Sequence, residues 1–324
     1  MYNNLMFKLI SLEKYFYFYI ALIVSLAFLA IFFTLSALGL IQSAESSNLI
    51  GEASRWCERV SDGLFREPVN TLSNLGFMIV GLYMFWVLSK DQKDSPNPFV
   101  GINKISVLYA SVVIYLGPGS MLMHGTNTEW GAWADNLSMI MYIILPWLFN
   151  TYSMSKWSIN QFLNTYISIV IIYSVWRWFT DFELGINFNL FGVSIGLWVI
   201  SETLYKFWSP LFRLISGFVG FLVLMLFGTM PNEVFENFSE YWWIILFWIP
   251  AVFSNQKPKY TRTYKWFFLG MISYLSAFSI WLTGVPDHSS CSPDSIIQAH
   301  GIWHLLTALA TYFFFIHYRS IKTV

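Results

Sequence analysis

Long apolar runs separated by short polar connections dominate the chain. After Lys8 and Lys14 the first run extends from about Tyr15 to Ile41. A cleaved signal peptide has an apolar core of only about 7–15 residues, so this run reads as a retained span. A polar stretch from Ser43 to Val69 follows, carrying Trp56-Cys57-Glu58 and Glu67-Pro68-Val69-Asn70. Further runs of about spanning length lie near 71–89, 104–124, 131–152, 158–178, 186–206, 211–230, 241–254, 265–284 and 299–318. The run at 241–254 is short and reads as a span or a re-entrant segment. The pattern predicts an all-α polytopic membrane protein of about ten spans, with an N-terminal membrane span over 1–42 and a transmembrane domain over 43–324.

Composition agrees with this reading. The 324 residues are 56% hydrophobic and 11% charged, whereas a soluble domain carries about 25% charged residues. A net charge of zero and the lack of a basic run exclude nucleic acid as a partner class. With a cytoplasmic N-terminus, the cytoplasmic segments hold Lys8, Lys14, Lys90, Lys93, Lys104, Lys156, Lys206, Arg213, Lys257, Lys259, Arg262, Lys265, Arg319 and Lys322, fourteen of the eighteen Lys and Arg residues. The other face holds Arg55, Arg59, Arg66 and Arg177, with Asp181, Glu183, Glu233, Glu236 and Glu240. This asymmetry is the positive-inside pattern and places both termini in the cytoplasm. Eight predicted spans separate Cys57 from Cys291, the two cysteines of the chain, so both fall on the extracytoplasmic side. That compartment permits disulfides, and a Cys57–Cys291 bond is expected over two free thiols.

Polar residues at membrane depth are costly and usually mark function. The third run ends with Ser120 and His124, four residues apart on one helical face, and the next begins with Asp135. Only a short loop joins the two helices, so His124 and Asp135 lie near the same membrane face. The last run opens at that face with His300 and His304, again one turn apart. Two such histidines can be helix-end residues satisfied by water and headgroups, or they can share a metal. With His124 they form the three-histidine set of many catalytic zinc sites, which leaves one position for a water of pKa near about 7. Asp135 then serves as general base and acid, or orients a histidine. Ser120 either donates to a developing oxyanion or bonds the carbonyl four residues back. His317 reads as interfacial, His288 as a solvated loop residue, and Glu202 as the partner of Lys206.

At these positions the sequence resembles the alkaline ceramidase family, within the superfamily that includes adiponectin-type receptors, as a divergent, bacterial-type member. The likeness runs from Trp56 to about Tyr312 and is dense at Trp56-Cys57-Glu58 with Glu67-x-x-Asn70-Thr-x-Ser73-Asn74, at Gly119-Ser120-x-x-x-His124, at Asp135-x-Leu-x-Met139, and at His300-x-x-Trp303-His304-Leu-Leu-Thr. It implies a seven-helix core, with about three spans added here, around a zinc ion on His124, His300 and His304, completed by Ser120 and Asp135. It also implies the Cys57–Cys291 disulfide, whose surroundings include Trp281 and Asp287. The chain departs where the family's Asp-Trp-Cys-Glu-Glu-Asn calcium segment reads Arg55-Trp56-Cys57-Glu58-Arg59-Val60. Glu58 and Glu67 match calcium-ligand positions, but two partners are replaced, one by a cation, so calcium is poorly served. Asn136 and Ser138 stand in place of the family's Glu and Pro.

The expectation is a zinc-dependent intramembrane amidohydrolase that cleaves ceramide or a related long-chain lipid amide to a sphingoid base or amine and a fatty acid. An apolar chamber would hold the acyl chain, and the site would open toward the extracytoplasmic side of a bacterial inner membrane, or of an ER or Golgi-type membrane in a eukaryotic cell. The same ligands would equally serve a lipid-binding receptor or sensor with little turnover. A transporter is disfavoured, because neither inverted repeats nor paired broken helices are evident.

Overall fold

The computed structural model describes residues 14–92, 95–180 and 189–323. Lys8, Lys93, Asp181 and Glu183 of the charge pattern lie outside the described residues. The chain is built of helices: α1 (Phe16–Ala37), α2 (Ala44–Ser47), α3 (Pro68–Ser73), α4 (Leu75–Lys90), α5 (Lys104–Thr126), α6 (Glu129–Ser153), α7 (Ile159–Phe179), α8 (Leu190–Lys206), α9 (Pro210–Ile215), α10 (Val219–Leu226), α11 (Pro231–Glu236), α12 (Ile249–Phe253), α13 (Tyr264–Trp281) and α14 (Ala299–Arg319). Two 3-10 segments, Ser216–Phe218 and Trp242–Trp248, lead into α10 and α12. Each run predicted from the sequence thus contains helix. Among the described residues, five helices are long and apolar enough to cross a membrane: Phe16–Ala37, Pro68–Lys90, Lys104–Thr126, Glu129–Ser153 and Ala299–Arg319. The other runs form shorter or less apolar helices. The protein is an all-α membrane protein, as expected.

The chain divides into two compact units. The first contains residues 1–138 and 262–322, and the second residues 139–261 with the last two residues; α6 contributes its start to the first and its remainder to the second. In the first unit, α13 packs along α14, and α4 packs along both α5 and α14. Helix α3 lies against α5 and α14, and α1 against α4 and α5. In the second unit, α8 packs on α10, on α12 and on the 3-10 segment that precedes α12. Glu202, expected beside Lys206, is buried there and accepts from Asn150 Nδ2 at 2.8 Å.

Local chemistry explains the helix ends that matter for the site. Helix α5 opens with a capping box in which the Asn103 side chain accepts from the Ile105 and Ser106 amides, and Ser106 Oγ accepts from the Asn103 amide. It closes on Asn127 in the left-handed region at φ 47°, a conformation asparagine tolerates. The chain then turns into α6, where Thr128 Oγ1 accepts from the Gly131 amide at 3.2 Å. This tight reversal brings His124 and Asp135 to the same level. Pro118 and two glycines precede His124 on α5. A Cβ on Gly117 would sit 2.9 Å from the Asn74 carbonyl oxygen, and one on Gly119 2.5 Å from Ser138 Cβ and 2.9 Å from the Ala134 carbonyl oxygen. Backbone contact on both sides of α5 therefore requires glycine. Gly119→Ala is expected to force α5 and α6 apart and to destabilise the protein by about 1–3 kcal/mol. A thermal melt of detergent-solubilised protein equal to wild type would refute this.

Candidate metal centre

His124 sits two residues before the end of α5, and His300 and His304 occupy the first two turns of α14. All three are buried, at 1%, 6% and 3% exposure. Each offers a ring nitrogen within 4.8 Å of the others. His124 Nε2 and His300 Nε2 face each other at 3.1 Å. Two nitrogens bound at about 2.0–2.1 Å to one tetrahedral zinc would lie about 3.3 Å apart, close to this separation.

The outer nitrogens are tied down from the polar stretch and α3. His124 Nδ1 pairs with Glu67 Oε2 at 2.8 Å, and Asn70 Nδ2 donates to the same oxygen at 2.9 Å. His304 Nδ1 pairs with Ser73 Oγ at 2.8 Å. With Nδ1 engaged, Nε2 of each ring is left to face the centre, which is how ligating histidines are usually oriented. His300 Nδ1 has no hydrogen-bond partner among the described residues. Its ring is instead held by stacking on Trp56, with centroids 4.3 Å apart and planes at 21°. Three buried imidazoles with converging nitrogens are a donor set suited to zinc and a poor one for a hard, oxygen-seeking cation.

Two further predicted residues adjoin the triad. Ser120 Oγ lies 3.4 Å from His304 Nε2, so it faces the triad. Asp135 is half-buried, next to Ser120 and close enough to His124 to interact electrostatically with it. Asn136 and Ser138 turn back onto their own helix, Nδ2 to the Ala132 carbonyl and Oγ to the Asp135 carbonyl. His317 and His288 stay apart from the triad. His317, in the last turn of α14, is fully buried among Tyr264, Phe267 and Tyr318 with Nδ1 at the Thr263 carbonyl. His288 accepts from the Ser290 amide in its loop.

A disulfide joins Cys57 to Cys291. The same strap carries an ion pair between Arg59 and exposed Asp294, whose carboxyl the guanidinium holds below its ordinary range. The Arg59 amide also donates to the Pro293 carbonyl at 2.9 Å. Trp56, next to Cys57, packs on Trp281 as well as on His300. Glu58 and Glu67 are both engaged by donors of the protein itself. Both Glu58 oxygens accept backbone amides at the start of α3, Val69 at 2.7 Å and Asn70 at 2.8 Å, while Glu67 Oε2 serves His124 and Asn70. Burial raises the Glu58 carboxyl above its ordinary range, against the pull of those two amides. Ser73 and Asn70 had appeared in the sequence only as parts of a motif; their contacts to the ring and to Glu67 depend on how α3 docks. No curated protein sequence matches the chain. The profile of the ceramidase family matches residues 52–324, and the chain therefore belongs to that family of hydrolases, which act on the amide bond of ceramide.

Proposed function

We propose that the chain is a zinc-dependent amidohydrolase that cleaves ceramide or a closely related long-chain lipid amide within the membrane. The observation that carries this reading is the buried triad, whose His124 and His300 nitrogens face each other at 3.1 Å while Glu67 and Ser73 back the outer nitrogens of His124 and His304. His124, His300 and His304 would hold the ion. When bound, zinc supplies Lewis acidity, polarising the amide carbonyl and acidifying a water molecule.

The protein's own residues do the rest. Asp135 takes a proton from the attacking water as its oxygen bonds to the carbonyl carbon. Ser120 Oγ, beside His304 Nε2, donates a hydrogen bond toward the oxygen on which negative charge grows. As the carbon–nitrogen bond breaks, Asp135 returns the proton to the leaving amine, giving a sphingoid base and a fatty acid. Glu67, Ser73 and Trp56 position the rings without touching the substrate. The lysine and arginine asymmetry supports cytoplasmic termini, and the disulfide supports a site toward the extracytoplasmic side. The first 42 residues form a separate membrane span ahead of the family domain in this reading.

Purified protein should carry about one zinc per chain by elemental analysis, and it should release fatty acid from labelled ceramide. A sample that holds zinc and binds ceramide yet releases no fatty acid would sink the hydrolase assignment.

A further inference from the structure

The family match begins at residue 52, and helices α1 and α2 precede it. Besides packing on α4 and α5, they meet a few residues beside the candidate metal centre. Phe32 of α1 is 3% exposed and stacks on Phe65 with centroids 5.2 Å apart, and Phe33 meets the same ring edge-on at 5.0 Å. Phe32 also closes over Gly125, where an added Cβ would meet its ring at 2.6 Å. Gly125 is the residue after His124. From the next turn of chain, Gln42 Nε2 donates to the Leu64 carbonyl at 3.1 Å. Buried Arg66 donates through Nε to Ser46 Oγ at 3.2 Å and through Nη2 to Ser47 Oγ at 3.4 Å.

Residues 64–66 are thus gripped by aromatic rings on one side and serine hydroxyls on the other. What they grip leads directly to the triad. The Arg66 amide donates to the Gly125 carbonyl at 3.1 Å and the Glu67 amide to the His124 carbonyl at 2.9 Å. Glu67 then reaches His124 Nδ1 at 2.8 Å. We infer that the N-terminal extension is a positioning clamp: by holding Phe65 and Arg66 against the end of α5, it fixes Glu67 and, through Glu67, the orientation of the His124 ring. The inference rests on His124 being a zinc ligand. Phe32, Ser46 and Arg66 act only through other groups and are positioning residues. A ring that is free to rock binds a metal more weakly, and loss of the group that orients a ligating histidine typically lowers metal affinity about 10–100-fold.

The test uses the full-length protein and three variants. Phe32→Ala removes the aromatic grip, Ser46→Ala removes only a hydroxyl and serves if the first fails to fold, and Leu88→Ala weakens buried packing of α4 away from the clamp. Zinc retention against a competing chelator and the visible spectrum of the cobalt-substituted protein are measured for each. Phe32→Ala and Ser46→Ala are expected to give up zinc at a chelator concentration about tenfold or more below wild type, with an altered cobalt spectrum. Leu88→Ala should lower the melting temperature and leave both metal readouts at wild type. Clamp variants that match Leu88→Ala in both would overturn the clamp while leaving the triad intact. Wild-type protein that takes up neither metal would overturn the triad and the clamp together.

Discussion

His300→Ala is expected to lose both its metal and its lipid-amide hydrolysis, whereas Asp135→Asn keeps the metal and loses about 10²–10⁴-fold in kcat. The contrast follows from where the two side chains stand. His300 supplies one of three converging nitrogens, 3.1 Å from that of His124, inside a buried pocket of rings. Two imidazoles cannot hold zinc as three do, so metal content and turnover fall together. Asp135 adjoins Ser120 and interacts with His124, but it is not one of the three nitrogen donors. Asparagine preserves its size and hydrogen bonding while removing the ability to accept and return a proton. Elemental analysis paired with single-turnover assays separates the two variants. Full turnover by Asp135→Asn would remove its role as the base; full zinc in His300→Ala would remove the triad.

Loss of the disulfide should give the second large effect, and it should reach the centre through Trp56. The bond closes a loop with a sequence separation of 234 residues, and removing such a native link costs about 2–5 kcal/mol. Cys57 neighbours Trp56, whose indole stacks on His300, the one triad ring with no hydrogen bond to its outer nitrogen. The Arg59–Asp294 ion pair is exposed and contributes little by itself. Freed from the strap, Trp56 no longer fixes His300. Cys57→Ser and Cys291→Ser should each lower the melting temperature in detergent, and the double variant should be no worse than either single one, because they share one bond. Zinc retention should fall in parallel. Additive losses in the double variant, or unchanged zinc retention, would show that the strap and the centre are uncoupled.

The two effects also show which parts of the site were legible beforehand. Ser120 with His124, and His300 with His304, are pairs at helical spacing, so their faces could be read before any packing was known. The charge pattern supports the proposal of an extracytoplasmic site, because the cost of moving Lys and Arg across a bilayer leaves a record along the chain. Glu67 was legible as a motif residue, yet its partner was not. A carboxylate in a polar stretch announces an acceptor and says nothing of which donor will meet it. Trp56 was similarly visible as a motif member, with no hint that it stacks on His300.

Local periodicity and the dislike of hydrocarbon for charge were enough to determine that this is a helical membrane protein, and spacing was enough to nominate three histidines, a serine and an aspartate. Tertiary packing alone decided that Glu58 caps α3, that Glu67 and Ser73 orient two of the rings, and that an N-terminal helix beyond the family match closes on the residues beside His124. The reason is physical. Helical spacing is a property of neighbours within a few residues, whereas the partner of a buried polar atom depends on which distant segments dock beside it.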